Sequence, residues 1–160
     1  MSGSKRGTWL ILLSLMVAMV LTLFPIPDSW QMWRPSWVML VLSFWVLYIP
    51  ERVGLFWALI VGLMLDVILN TSMGLHGFAL AITTFILQLL YKRVRLFPLW
   101  KQGLSLAIVS AVYLAITYWL GRLTGKSIDT LPWIGIVLNG VLWPWIYLLL
   151  KQIAGYFKVK

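Results

Sequence analysis

Two polar side chains stand where chemistry could occur in an otherwise apolar chain. One is Asp66, which closes the run Gly62-Leu63-Met64-Leu65-Asp66; the other is His76, the only histidine. Between them lie Asn70, Thr71, Ser72, Met73 and Gly74, a turn-forming set that would let the carboxylate and the imidazole meet. Such a pair can move a proton, orient a nucleophile or supply two metal ligands. None of these sites completes. A zinc site wants three or four ligands, cysteine is absent, and no serine stands in a triad. We expect no catalytic, cofactor-binding or metal-binding residues and no enzyme activity. His76 reads as a turn or packing residue, and Gly74 as a backbone conformation that residues with a Cβ resist. For Asp66 three readings stay open: a structural role, either capping the next helix or pairing with Arg122 or Lys126; contact with a partner; and ligand or proton handling.

The elements that hold these residues follow from where charge is missing. Of 160 residues, 62% are hydrophobic and 11% charged, against roughly 25% charged in a soluble domain. Stretches 7–27, 35–50, 67–91, 102–121 and 130–150 carry no Asp, Glu, Lys or Arg, and 53–65 continues in apolar residues beyond Asp66. A membrane-crossing helix needs about 20 mostly apolar residues. The expectation is an all-α membrane protein, one domain over 1–160, with six transmembrane helices near 8–24, 35–49, 53–70, 75–91, 103–120 and 132–150. A barrel would need alternating polar and apolar residues, which runs such as Tyr147-Leu148-Leu149-Leu150 lack. The second helix is short, about 22 Å long at 1.5 Å per residue. Trp33 and Trp37 would hold its end at the interface while the bilayer thins, or the segment is re-entrant.

With six crossings, both termini share a side. That side receives Lys5, Arg6, Arg52, Lys92, Arg93, Arg95, Lys101, Lys151, Lys158 and Lys160; the other receives Arg34, Arg122 and Lys126. The bias places both termini in the cytoplasm, with the 92–101 loop against anionic lipids. Trp9, Trp30, Trp33, Trp100 and Trp133 fall near helix ends, as an interfacial belt requires. The net charge of +9 therefore belongs to membrane topology, and nucleic-acid binding is not expected. The first apolar run ends in Phe24-Pro25-Ile26-Pro27 without a small-residue cleavage site, so it reads as a retained helix.

Small residues recur at helical spacing. Gly54, Ala58, Gly62, Asp66 and Asn70 come every four residues, a face on which another helix could approach closely. Ser14, Ala18 and Thr22, then Gly77, Ala81, Thr84 and Gln88, and Ala107, Ala111 and Ala115 form similar faces. Most should pack against sister helices, and at least one could receive a helix from another protein. The last helix carries Asn139, Gly140, Trp143 and Pro144; Pro144 lacks an N–H and crowds the carbonyl of Gly140, so a kink is expected.

Four pieces together resemble the MreD family of bacterial rod-shape proteins, in its gammaproteobacterial form. They are the first span ending Phe24-Pro25-Ile26-Pro27-Asp28; Arg34-Pro35-Ser36-Trp37 before a helix with Trp45; Gly62-Leu63-Met64-Leu65-Asp66 followed by Gly74-Leu75-His76-Gly77; and Asn139-Gly140-Val141-Leu142-Trp143-Pro144-Trp145-Ile146. The resemblance implies a non-enzymatic scaffold of the cell-elongation complex in the inner membrane, supporting lateral peptidoglycan synthesis and rod shape. It implies MreC as the nearest partner, and MreB, RodZ, RodA and its transpeptidase in the wider assembly. It also implies a fold similar to the substrate-binding components of energy-coupling-factor transporters. A small-ligand-binding transporter component, for a vitamin or lipid intermediate, is the alternative. Pro35, Gly62, Asp66, Gly74, Asn139 and Pro144 would then be structural or interface positions.

Overall fold

The computed structural model describes residues 2–125 and 133–159. Among these the chain is helical and has no strand. Six α-helices follow in order: α1 (Ser2–Leu23), α2 (Trp37–Tyr48), α3 (Leu55–Ile68), α4 (Leu75–Val94), α5 (Leu99–Leu123) and α6 (Trp133–Tyr156). A short 3-10 helix, Asp28–Trp33, links α1 to α2. Each α-helix overlaps one expected from the charge-free stretches. The expected start at Pro132, and the expected positions of Lys126 and Lys160, lie outside the described residues.

Four helical segments are long and apolar enough to cross a membrane: Lys5–Leu23, Leu75–Val94, Leu99–Leu123 and Trp133–Tyr156. The other two are shorter. At 1.5 Å per residue α2 rises about 18 Å and α3 about 21 Å.

The short α2 is the axis of the bundle. Every residue from Val38 to Leu47 is buried, with α1, α4 and α6 packed around the helix. This gives its length a further reason beside the one expected. A helix enclosed by protein need not match the hydrocarbon thickness, because its lateral contacts are other helices. Trp33 is exposed as an anchor would be, but Trp37 is half-buried. Aromatic rings fill the space beside the axis. Phe44 lies 5.2 Å from Trp45, 5.3 Å from Tyr48 and 5.6 Å from Tyr147 between ring centroids. The buried Trp45 donates its indole N–H to Ser14 Oγ of α1 at 2.8 Å, so the Ser14 face of α1 is turned inward.

Around the axis, α3 pairs with α4, and α5 lies between α4 and α6. The α3–α4 crossing is the tightest. A Cβ built on Gly62 would fall 2.3 Å from Gly77 Cα, so the two backbones are in direct contact. At the α5–α6 crossing, a Cβ on Gly103 would reach Gly140 O at 2.8 Å, and one on Gly140 would reach Ala107 Cβ at 2.9 Å. Pro144 has no N–H to offer the Gly140 carbonyl, which instead faces the bare Gly103 backbone. The helix continues through Pro144 without interruption.

The two ends of the bundle differ. At one, a Cβ on Gly7 would lie 3.0 Å from the Arg52 guanidinium and 3.2 Å from Val159, so both ends of the described chain meet there. At the other, the Arg34 guanidinium donates to the carbonyls of Thr22 and Phe24, the last being 3.0 Å away. A cation on the final carbonyls of α1 neutralises the negative end of its dipole.

Candidate functional site

The site begins with the turn between α3 and α4. Asn70 adopts φ 52° and Gly74 φ 94°, so the chain reverses within a few residues and α4 starts beside the end of α3. Asn tolerates the left-handed region better than most residues, and Gly tolerates it without penalty. Nothing lies within 4 Å of a Cβ at Gly74, so its requirement is conformational and not spatial. Gly74→Ala is expected to cost about 1 kcal/mol, read as a lower melting temperature in detergent with the fold retained.

That reversal aims the first N–H groups of α4 at Asp66, whose side chain is fully buried. Its Oδ1 accepts from the His76 backbone N–H at 2.8 Å, from the Thr71 hydroxyl at 2.9 Å and from His76 Nδ1 at 2.7 Å. Its Oδ2 accepts from the Gly74 N–H at 2.9 Å and, more weakly, from the Gly77 N–H at 3.4 Å. An ionised carboxylate only accepts, so the imidazole proton facing it must be on Nδ1. The first N–H groups of a helix have no partner within that helix. A carboxylate from α3 supplies one here, at the positive end of the α4 dipole. Of the readings left open for Asp66, this geometry is that of a cap on the next helix. Pairing with Arg122 is not formed: that guanidinium lies 5.3 Å over the Tyr118 ring, and the side chain that meets Asp66 is His76. Pairing with Lys126 falls outside the described residues.

The other expected residues fall into two groups. Gly54, Ala58, Gly62 and Asp66 lie along the α3–α4 interface. A Cβ on Gly54 would meet Gln88 of α4 at 2.8 Å, and Ala58 is fully buried. This stripe therefore seats a sister helix, as do Ser14 and Ala18 of α1 and Ala107 of α5. Pro35, Asn139, Gly140, Trp143 and Pro144 form a second cluster. Pro35 sets up the start of α2, where the Ser36 N–H donates to Asn139 Oδ1 at 3.0 Å. Trp143 is buried and donates to Gln102 Oε1 at 3.3 Å, and Gln102 in turn donates to the Phe97 carbonyl at 3.1 Å.

Four contributors were not singled out from sequence. Thr71 completes the Asp66 cap, and Gln102 holds Trp143. Arg34 was read as a charge on one side and as part of the Arg34-Pro35-Ser36-Trp37 piece, without a role of its own, and Tyr113 not at all; the Tyr113 ring lies 6.4 Å from that of His76. The spacing of ten residues from Asp66 to His76 across a turn was the one usable signal. Among the described residues no group of three or more His, Cys, Asp or Glu could hold a metal.

The fold and site together define a class: a helical membrane protein whose buried acid is tied into its own packing. Comparison with known proteins narrows it. A family model described as rod shape-determining protein MreD matches residues 4–153. A relative named "Rod shape-determining protein MreD", from Haemophilus influenzae, is 34% identical over 157 residues, which is 94% of each chain. No solved structure matches. The chain belongs to the MreD family of rod shape-determining proteins, a structural family with a role in cell shape and not an enzyme family.

Proposed function

We propose that this protein is a passive membrane scaffold of the rod complex. It crosses the inner membrane six times with both termini cytoplasmic, and it holds the transmembrane helix of MreC against the outer face of α6. Three things support the topology. The described basic residues Lys5, Arg6, Arg52, Lys92, Arg93, Arg95, Lys101, Lys151 and Lys158 follow the end where Gly7 meets Arg52 and Val159. Basic residues favour the cytoplasmic side. An α2 enclosed by its neighbours and an α3 of modest length can both complete crossings in a locally thinned bilayer. Four helical segments are also long and apolar enough to cross a membrane unaided.

The single observation that carries the partner reading is Trp145. It lies near the middle of α6, and 73% of its surface is exposed. Tryptophan ordinarily sits at the membrane interface, where its N–H can reach water. At mid-span it projects a large flat ring and an N–H that has no acceptor among the described residues. Val137 and Val141 continue the same exposed face, with Trp133 at its end. The α3 stripe does not support partner binding, because α4 occupies it. The α6 face does, since helix association in lipid depends on close packing and hydrogen bonds.

Trp145→Ala is expected to leave the melting temperature of the purified protein within about 1 °C of wild type, because an exposed surface substitution changes stability little. It is expected to reduce MreC recovered by co-purification at least severalfold. Unchanged recovery would contradict the α6 face. Absence of MreC from wild-type preparations in mild detergent would contradict the scaffold itself.

A further inference from the structure

At the end of the bundle opposite the two termini, a cavity of about 220 Å³ opens between the 3-10 segment, the start of α2 and the upper parts of α3, α4 and α5. It is independent of the α6 face. Arg34, Ser36, His76, Tyr113 and Thr117 contribute polar groups to its wall. One of these donors is buried and not taken up by the protein, and two more stand beside it. Arg34 uses its Nη2 on the carbonyls of Thr22 and Phe24, but its Nε is buried with no hydrogen-bond partner. Ser36 makes no side-chain cap hydrogen bond to α2. Tyr113 is only 5% exposed and brings its hydroxyl to the cavity wall. A buried donor left without an acceptor is costly, so the arrangement favours an occupant that brings acceptors.

The charge at the site is also defined. Asp66 does not line the cavity, and its oxygens are taken up by the α4 N-terminus, Thr71 and His76. Arg34 is the permanent charge on the wall. The donors come from three different elements and therefore approach from several directions. That suits a tetrahedral group with three or four acceptor oxygens better than a planar carboxylate with two. Thr22 and Gln31 also line the cavity, Trp37, Leu65, Leu69 and Leu114 give it an apolar side, and the volume exceeds that of a bare phosphate.

We propose that this cavity binds a phosphate group, held by Arg34, Ser36 and Tyr113, with the apolar wall accommodating the first carbons of an esterified chain. The group could belong to a membrane phospholipid or to free phosphate, and the test separates the two. Full-length protein is placed in nanodiscs of a phosphate-free galactolipid containing a small fraction of phosphatidylglycerol, and retained lipid is read by native mass spectrometry. In a parallel arm, inorganic phosphate is titrated and followed by ³¹P line broadening.

Wild type is expected to retain one phosphatidylglycerol. Arg34→Gln should weaken retention about tenfold and Tyr113→Phe about threefold to tenfold, the range for a charged and a neutral hydrogen bond. Saturable binding of inorganic phosphate alone, with the same sensitivity to the variants, supports the site with a soluble ligand. Equal retention by wild type and Tyr113→Phe, or no binding in either arm, overturns the proposal. Arg34 also caps α1, so Tyr113→Phe, which removes one oxygen from a buried ring, decides the outcome if Arg34→Gln melts early.

Discussion

Asp66→Leu is expected to destabilise the protein by about 4 kcal/mol, in the range for removing one partner of a buried, hydrogen-bonded charge. The reason is the set of donors left behind. The N–H groups of Gly74 and His76, the Thr71 hydroxyl and His76 Nδ1 all point at the carboxylate. Leucine satisfies none of them, and they lie in a packed helix junction. Asparagine is a more revealing substitution. It keeps one acceptor oxygen but turns the other into an NH2 group, and each carboxylate oxygen faces a backbone N–H, which can only donate. One orientation sets the NH2 against the Gly74 N–H, and the other sets it against Thr71 and His76. Asp66→Asn should therefore also fail, by about 2 kcal/mol. Thermal unfolding in detergent, with the amount of protein accumulating in the membrane, reads both. Wild-type stability in the asparagine variant would show that the carboxylate is not acting as a multiple acceptor.

The second large effect concerns a single methyl group. Gly62→Ala is expected to cost about 3 kcal/mol, at the upper end of the usual penalty for overpacking. Its Cβ would lie 2.3 Å from Gly77 Cα and 2.6 Å from Gly77 N. Those are backbone atoms, so no side-chain rotation relieves the clash; α3 and α4 must separate. Separation would also pull Asp66 from the N-terminus of α4, so packing and capping fail together. Gly155→Ala is the control. It lies inside α6 with nothing within 4 Å of the new methyl, and should be neutral or slightly stabilising. Equal melting temperatures for Gly62→Ala and Gly155→Ala would mean that the helices are not in backbone contact.

The helices were legible in the sequence because a bilayer penalises charge so strongly that charge-free runs mark them. What each helix faces was less legible. The spacing of Gly54, Ala58 and Gly62 says that they share a face, but the same stripe would serve a sister helix or a foreign one. The contacts of Gly62 with Gly77 and of Gly54 with Gln88 identify α4 as its neighbour. Asp66 was recognisable as a residue needing partners, and capping was among its readings. Most of those partners are backbone N–H groups, which exist in every residue and leave no mark in a sequence. Trp143 and Trp145 make the same point from composition. They stand two residues apart, so they lie on different sides of α6; one is fully buried on Gln102 and the other is exposed. Arg34 looked like a loop charge because the carbonyls it caps belong to α1, ten or more residues earlier.

On the proposed reading, these placements separate what holds the bundle together from what it offers to a partner. The acid and the small-residue stripe of α3 serve the interior, and a lipid-facing tryptophan is presented on α6. Photo-crosslinking in living cells tests this division most directly. A photoreactive residue is placed in turn at Val137, Val141 and Trp145 on α6, and at Val20, Phe56, Phe85 and Ile108, exposed positions on α1, α3, α4 and α5. Adducts to a single-span membrane protein of the rod complex are expected from the α6 positions and not from the other four. Adducts from α1, α3, α4 or α5 with none from α6 would contradict it.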